Sequence, residues 1–147
     1  MKKLALALAA AAAMASLPAA AQFQKPEDAI KYRQSAFTVM AAHFSRIGAM
    51  AQGRVPFDAA AAAANAEIVA TMSRLPFVAF VDGSQGGKGK ADIWSDRAGF
   101  NSAAAKMQEE AGKLAAAARS GNADQVRAAF GATAGTCKAC HDNYRSQ

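Results

Sequence analysis

Cys137, Cys140 and His141 stand together near the end of the chain as Cys137-Lys138-Ala139-Cys140-His141, and these are the only two cysteines among 147 residues. The spacing C-x-x-C-H is the attachment pattern of a c-type haem. On a helix, at about 100° per residue, Cys140 lies ~60° from Cys137 and His141 ~40° to its other side, so all three side chains leave one face. Two thioethers can then hold neighbouring vinyl groups while the imidazole serves as an axial iron ligand. A thioredoxin-type C-x-x-C belongs near a strand-to-helix junction, and no strand pattern lies nearby. A structural zinc site wants four ligands, and only the remote His43 could join these three. A disulfide across three residues of one helix is awkward because the Cβ vectors diverge.

The segments that position this motif are helical by pattern, with no period-two alternation long enough for a sheet. A first helix should open at Pro26, suited to N1, with Glu27 and Asp28 where the helix dipole favours negative charge. Its apolar stripe is Ile30, Phe37, Met40, Ala41, Phe44 and Ile47, and the stretch Gly48 to Pro56 should end it. Asp58 should cap a second, Ala-rich helix carrying Ile68, Val69 and Met72, which Pro76 stops. Residues 81–91 contain four Gly and read as one long loop, the kind that often carries function in a small domain. A third helix is expected from Asp92 or Ser95 to Arg119, stopped by Gly121. The fourth should begin at Asn122, with Gln125 closing a capping box, and run through Val126 and Phe130 to the C-terminus.

Four such helices with short links suit an all-α, antiparallel up-down-up-down four-helix bundle carrying covalently attached haem. Its Ala-rich faces favour helix but fill little volume, so either the helices approach closely or something else fills the interior. The composition agrees with one modest domain: 52% hydrophobic, 19% charged and 7% aromatic residues.

The N-terminus has a separate role. Lys2 and Lys3, the Ala/Leu run from Leu4 to Leu17, and the small residues Ala19, Ala20 and Ala21 read as a secretory signal peptide spanning residues 1–21. Residues 22–147 would form the mature domain, exported unfolded to the periplasm and loaded with cofactor there, with no membrane association after cleavage. Removing Lys2 and Lys3 lowers the net charge from +6 to +4. That modest charge, the compartment and the lack of a basic cluster argue against nucleic-acid binding.

An exported four-helix chain with C-x-x-C-H close to its C-terminus resembles cytochrome c′, the class II c-type cytochromes, itself a standard example of the up-down-up-down bundle. The resemblance spans residues 22–147. It is carried by Lys25-Pro26-Glu27-Asp28-Ala29-Ile30-Lys31-Tyr32-Arg33-Gln34, by Ile93-Trp94-Ser95-Asp96, and by Cys137 to Arg145. It implies one haem c held by Cys137 and Cys140, with His141 on the iron. Arg33 and Gln34 match the pair that contacts haem in the family, Arg145 matches its proximal Arg, and Lys88 is a further candidate in the Gly-rich loop.

Low-spin relatives place an axial Met where this chain has Phe37, and Phe cannot ligate iron. That departure matches the high-spin, five-coordinate branch, which binds NO and CO. Phe37 offers no hydrogen-bond donor, so water and dioxygen gain nothing from it. Met40 is expected to act as core filler and His43 to face away from the haem. Phe77, Phe80, Trp94 and Phe130 are candidate pocket walls.

The expected function is binding of small diatomic gases, with NO sequestration or detoxification as its purpose. The alternative is electron transfer with redox partner proteins. An enzyme is not expected, because Phe37 supplies no distal acid or base. A homodimer through the first two helices is expected from the resemblance.

Overall fold

The structure, a computed structural model, describes residues 22–146. The expected signal segment lies outside the described residues. The elements are α1 (Pro26–Ala51), α2 (Ala59–Met72), a 3-10 turn (Pro76–Ala79), a single-turn helix α3 (Asp92–Ser95), α4 (Arg97–Arg119) and α5 (Ala123–Tyr144). The four long helices form a closed ring of neighbours: α1 on α2, α2 on α4, α4 on α5, and α5 back on α1. Among the described residues the only extended pairing is an isolated bridge between Gly89 and Arg145.

Local chemistry accounts for most of the boundaries. Pro26 opens α1 with Glu27 and Asp28 in the first turn. The Asp58 carboxylate accepts the amide of Ala61 at 2.9 Å and caps α2. Gly121 ends α4 at φ 69°, a left-handed conformation that favours Gly.

Two details differ from the sequence expectation, the break of the third helix and the missing capping box. α1 ends at Ala51, inside the stretch expected to end it. A Cβ at position 48 would come within 2.8 Å of the Phe130 ring, so this Gly admits a close crossing of α1 and α5. The third helix is broken at Asp96, which takes non-helical angles (φ −115°, ψ 58°) and caps α4 by accepting the Gly99 amide at 3.1 Å. Asn122 caps α5 by accepting the amides of Asp124 and Gln125, both at 3.0 Å. Gln125 closes no capping box, because its side-chain oxygen accepts from the Ser120 hydroxyl instead.

The core divides in two. An aliphatic cluster of Ile47, Ala66, Val69, Met107, Ala111, Leu114, Ala115, Ala118 and Val126 joins all four long helices. There the Ala faces are filled by close helix approach, so no added group is needed. A second, aromatic cluster is built on Phe80, Ile93, Phe100 and Tyr144, with Phe37, Phe77, Trp94, Ala103 and Cys140 packed against it.

Candidate functional site

The last three turns of α5 carry Cys137, Cys140 and His141, and the helix carries them along the seam between the two clusters. Cys137 packs against the aliphatic core and Cys140 against the aromatic one. Both are free, half-buried thiols. Burial pushes each above the ordinary thiol value of 9.0; for Cys140 the neighbouring Cys137 adds to the rise. Burial thus favours their neutral form. Among the described residues no group of three or more His, Cys, Asp or Glu could hold a metal ion.

His141 is exposed and lines a pocket of about 470 Å³ with Lys90, Asp142, Arg145 and Ser146. Desolvation on the pocket wall holds its imidazole below the ordinary 6.5. The charge of Arg145 lowers it further, and Asp142 opposes. The ring is thus kept neutral near pH 7, the form that can ligate iron. Arg145, one turn beyond His141, is exposed and leaves the helix in extended conformation against Gly89.

Phe37 of α1 reaches the aromatic cluster that also takes Cys140. It meets Phe77 edge-on at 5.7 Å and Phe80 at 6.4 Å. Phe80 in turn touches Phe100 at 4.9 Å and Trp94 at 6.2 Å. Three of the four expected wall residues are therefore here. Phe130 is not: it stacks on Phe44 at 4.5 Å beside Gly48, in the aliphatic core, because α1 and α5 cross there. Met40 also packs against the aliphatic core, and His43 bonds Asn65 of α2 at 2.8 Å, as a core filler and an interhelix residue should.

Arg33 is buried, only 3% exposed, and its guanidinium holds the Gly-rich loop. It donates to Ala79 O at 3.0 Å, Ser84 Oγ at 3.0 Å, Ser84 O at 2.8 Å and Gly86 O at 3.1 Å, and lies 4.5 Å over the Phe80 ring. Sequence reasoning missed this clamp, although an Arg one turn before Phe37 on the apolar side of α1 could have signalled it. Gln34 is exposed and lies over Gly87, where a Cβ would meet its amide nitrogen at 2.7 Å. The Lys88 side chain is exposed, while its carbonyl accepts from the Ser146 amide at 2.9 Å. The loop is thus tied to α1 through Arg33 and to the end of α5 through Lys88.

Two thiols on one helix face, a neutral imidazole beside them and an aromatic wall opposite form a donor set that fits a c-type haem. The profile of the family described as Cytochrome C' matches residues 28–145. The chain belongs to the cytochrome c′ family. Its sequence is 52% identical over 129 residues to cytochrome c' of Rubrivivax gelatinosus, covering 86% of this chain and all of that one. It is 50% identical over 126 residues to the protein of Alcaligenes xylosoxydans xylosoxydans, covering 86% of this chain and 99% of that one. The crystal structure of the Rubrivivax gelatinosus cytochrome c' superposes with a TM-score of 0.83 over 85% of this chain and 100% of that one. A nitric oxide complex of a variant cytochrome c prime from Alcaligenes xylosoxidans superposes at 0.82, with 49% identity over 86% of this chain and 99% of that one. Cytochrome c′ membership makes this a haem protein and implies a c-type haem with iron.

Proposed function

We propose that this cytochrome c′ is a periplasmic gas-binding protein with one covalently attached haem, taking NO and CO and so limiting nitrosative damage. When bound, the haem supplies an iron whose sixth position is open to a small diatomic ligand. Cys137 and Cys140 would hold it as thioethers, and His141 would ligate the iron through its neutral imidazole. Gln34 and Lys88, exposed on α1 and the Gly-rich loop, would face its propionates, while the buried Arg33 would act by holding that loop in place. Arg145 stands on the His141 side.

The observation that carries the reading is Phe37. It belongs to the same aromatic cluster as Cys140, among Phe77 and Phe80, and offers neither a ligand nor a hydrogen bond. A wall of this kind excludes water and gives polar ligands no partner, while NO and CO need none. The relative solved as a nitric oxide complex supports the same chemistry. Export rests on the signal-like segment at residues 1–21. Among the described residues no helix is long and apolar enough to cross a membrane. Homodimerisation through α1 and α2 belongs to this proposal, as do redox partners that would reset the iron between ligand-binding events.

Phe37→Met tests the reading. The loaded variant is expected to move toward a low-spin spectrum and to bind CO more weakly than the native protein. Unchanged CO binding would remove Phe37 from the distal position.

A further inference from the structure

The end of α5 that carries Cys140 and His141 is held by a side-chain latch outside the motif. Tyr144 follows His141 by three residues and Cys140 by four, which places it within ~60° of both around the helix. It is buried, 8% exposed, with its ring edge-on to Phe100 at 5.4 Å. Its hydroxyl donates to Asp96 Oδ2 at 2.6 Å, across to the junction between α3 and α4. The other oxygen of Asp96 accepts the Gly99 amide at 3.1 Å, so the acceptor is itself fixed by the start of α4. The Tyr144 carbonyl accepts the Lys90 amide at 3.0 Å, and Lys90 Nζ donates to Asp142 O at 3.0 Å.

Gly99 gives an independent sign that this approach is built in. A Cβ there would run into Asp96 Oδ2 and lie 2.5 Å from the Tyr144 hydroxyl oxygen. Only Gly leaves room for the two side chains to meet. Tyr144 has its proton held by this bond, its pKa pushed up to about 12, first by the hydrogen bond to Asp96.

We propose that Tyr144 and Asp96 are positioning residues for the axial ligand: their hydrogen bond fixes the rotation of the last turn of α5 and with it the direction of the His141 imidazole. The inference rests on His141 being the iron ligand of the proposed function. Phe100 holds the ring of Tyr144 in any case, so the hydroxyl adds orientation rather than apolar burial. Both Asp96 oxygens are engaged, one on Tyr144 and one on α4. Asp96→Asn can keep the cap while replacing the charge-assisted bond to Tyr144 by a weaker neutral one.

The test compares the loaded native protein with Tyr144→Phe, Asp96→Asn, their double variant and Gly99→Ala. Resonance Raman spectroscopy of the ferrous protein reads the iron–histidine stretching band, and hydrogen exchange reads the amides of Lys90 and Arg145. The latch predicts that each single variant shifts or broadens the band and that the double is no worse than either single. Exchange at the two amides should quicken about two- to tenfold, as for the loss of one hydrogen bond. Should Tyr144→Phe fail to fold, Asp96→Asn, which retains the ring and a capping oxygen, carries the same comparison.

A band unmoved in Tyr144→Phe and Asp96→Asn, with only a lowered unfolding midpoint, would overturn the latch while leaving the functional reading intact. A native protein with no histidine-ligated iron would bring down both together.

Discussion

At one end of the bundle, Ala66 and Val69 of α2 meet Ala111, Leu114, Ala115 and Ala118 of α4 and Val126 of α5, all buried and all aliphatic. At the other, Phe37, Phe77, Phe80, Trp94, Phe100 and Tyr144 come from α1, the 3-10 turn, α3, α4 and α5 and leave Cys140 half-buried at their edge. The first region is held by close helix approach between small side chains. The second is held by edge-on rings, by Arg33 of α1 bonded to the Gly-rich loop and by the Tyr144–Asp96 bond. Stability and chemistry are thus weighted toward opposite ends of the bundle, with Cys137 and Phe77 at the join between them. If so, damage to one end should leave the signature of the other intact.

The largest effect on folding is expected at the aliphatic end. Leu114 is fully buried, and Leu114→Ala should cost about 2–5 kcal/mol in denaturant unfolding. The spectrum of the folded, loaded protein should not change. A spectral change at constant fold would show the two ends to be coupled.

Gly48→Ala is the next test, because the new methyl would press on Phe130 at 2.8 Å where α1 crosses α5. A loss of about 1–3 kcal/mol is expected, as for an overpacked core, again without a spectral change. Stability equal to the native chain would mean that Phe130 turns aside and that the crossing is looser than its geometry implies.

Smaller effects should come from pH, at the aromatic end through Asp96 and Tyr144. The hydrogen bond from Tyr144, then that from the Gly99 amide, holds Asp96 below its ordinary 3.8. Its contribution to stability is therefore present above pH 3.8 and lost as pH falls through the lower folded value. Tyr144 moves the other way, from 10.0 to about 12, so its contribution is full below pH 10 and fades as pH rises toward 12. Melting temperature against pH should show both limbs in the native protein. Tyr144→Phe should weaken both the alkaline limb and the acid one. An unaltered profile in that variant would contradict the assigned bond.

How much of this was legible in the sequence follows the same division. The α1 stripe is reproduced in part: Ile47 is buried, Ile30, Phe37, Met40 and Phe44 are half-buried, and Ala41 is exposed, while Ala29, Arg33 and Ala36 are buried instead. The Asp58 and Asn122 caps and the Gly121 stop follow local rules of spacing and hydrogen bonding, and the structure reproduces each. The C-x-x-C-H face was legible for the same reason, since helical geometry alone brings Cys137, Cys140 and His141 to one side. What escaped depends on contacts between distant residues. That Gly48 marks the crossing of α1 and α5 is not visible until Phe130 is seen against it. Asp96 looks like a residue inside a helix until Tyr144, 48 positions later, is seen bonded to it. Arg33 reads as a charge for a propionate until the loop carbonyls are found around it. Phe130 was misplaced for a related reason: periodicity gives the buried face of a helix, but not which part of the core that face meets.

The central claim is an open iron beside an apolar wall, and the most direct test is the absorption spectrum of the reduced protein, exported from a host able to attach c-type haem, before and after CO. A broad high-spin spectrum that shifts on adding CO is the predicted result. A sharp low-spin spectrum indifferent to CO would contradict it, and would mean that a side chain such as Met40 or His43 closes the sixth position and that the protein carries electrons instead.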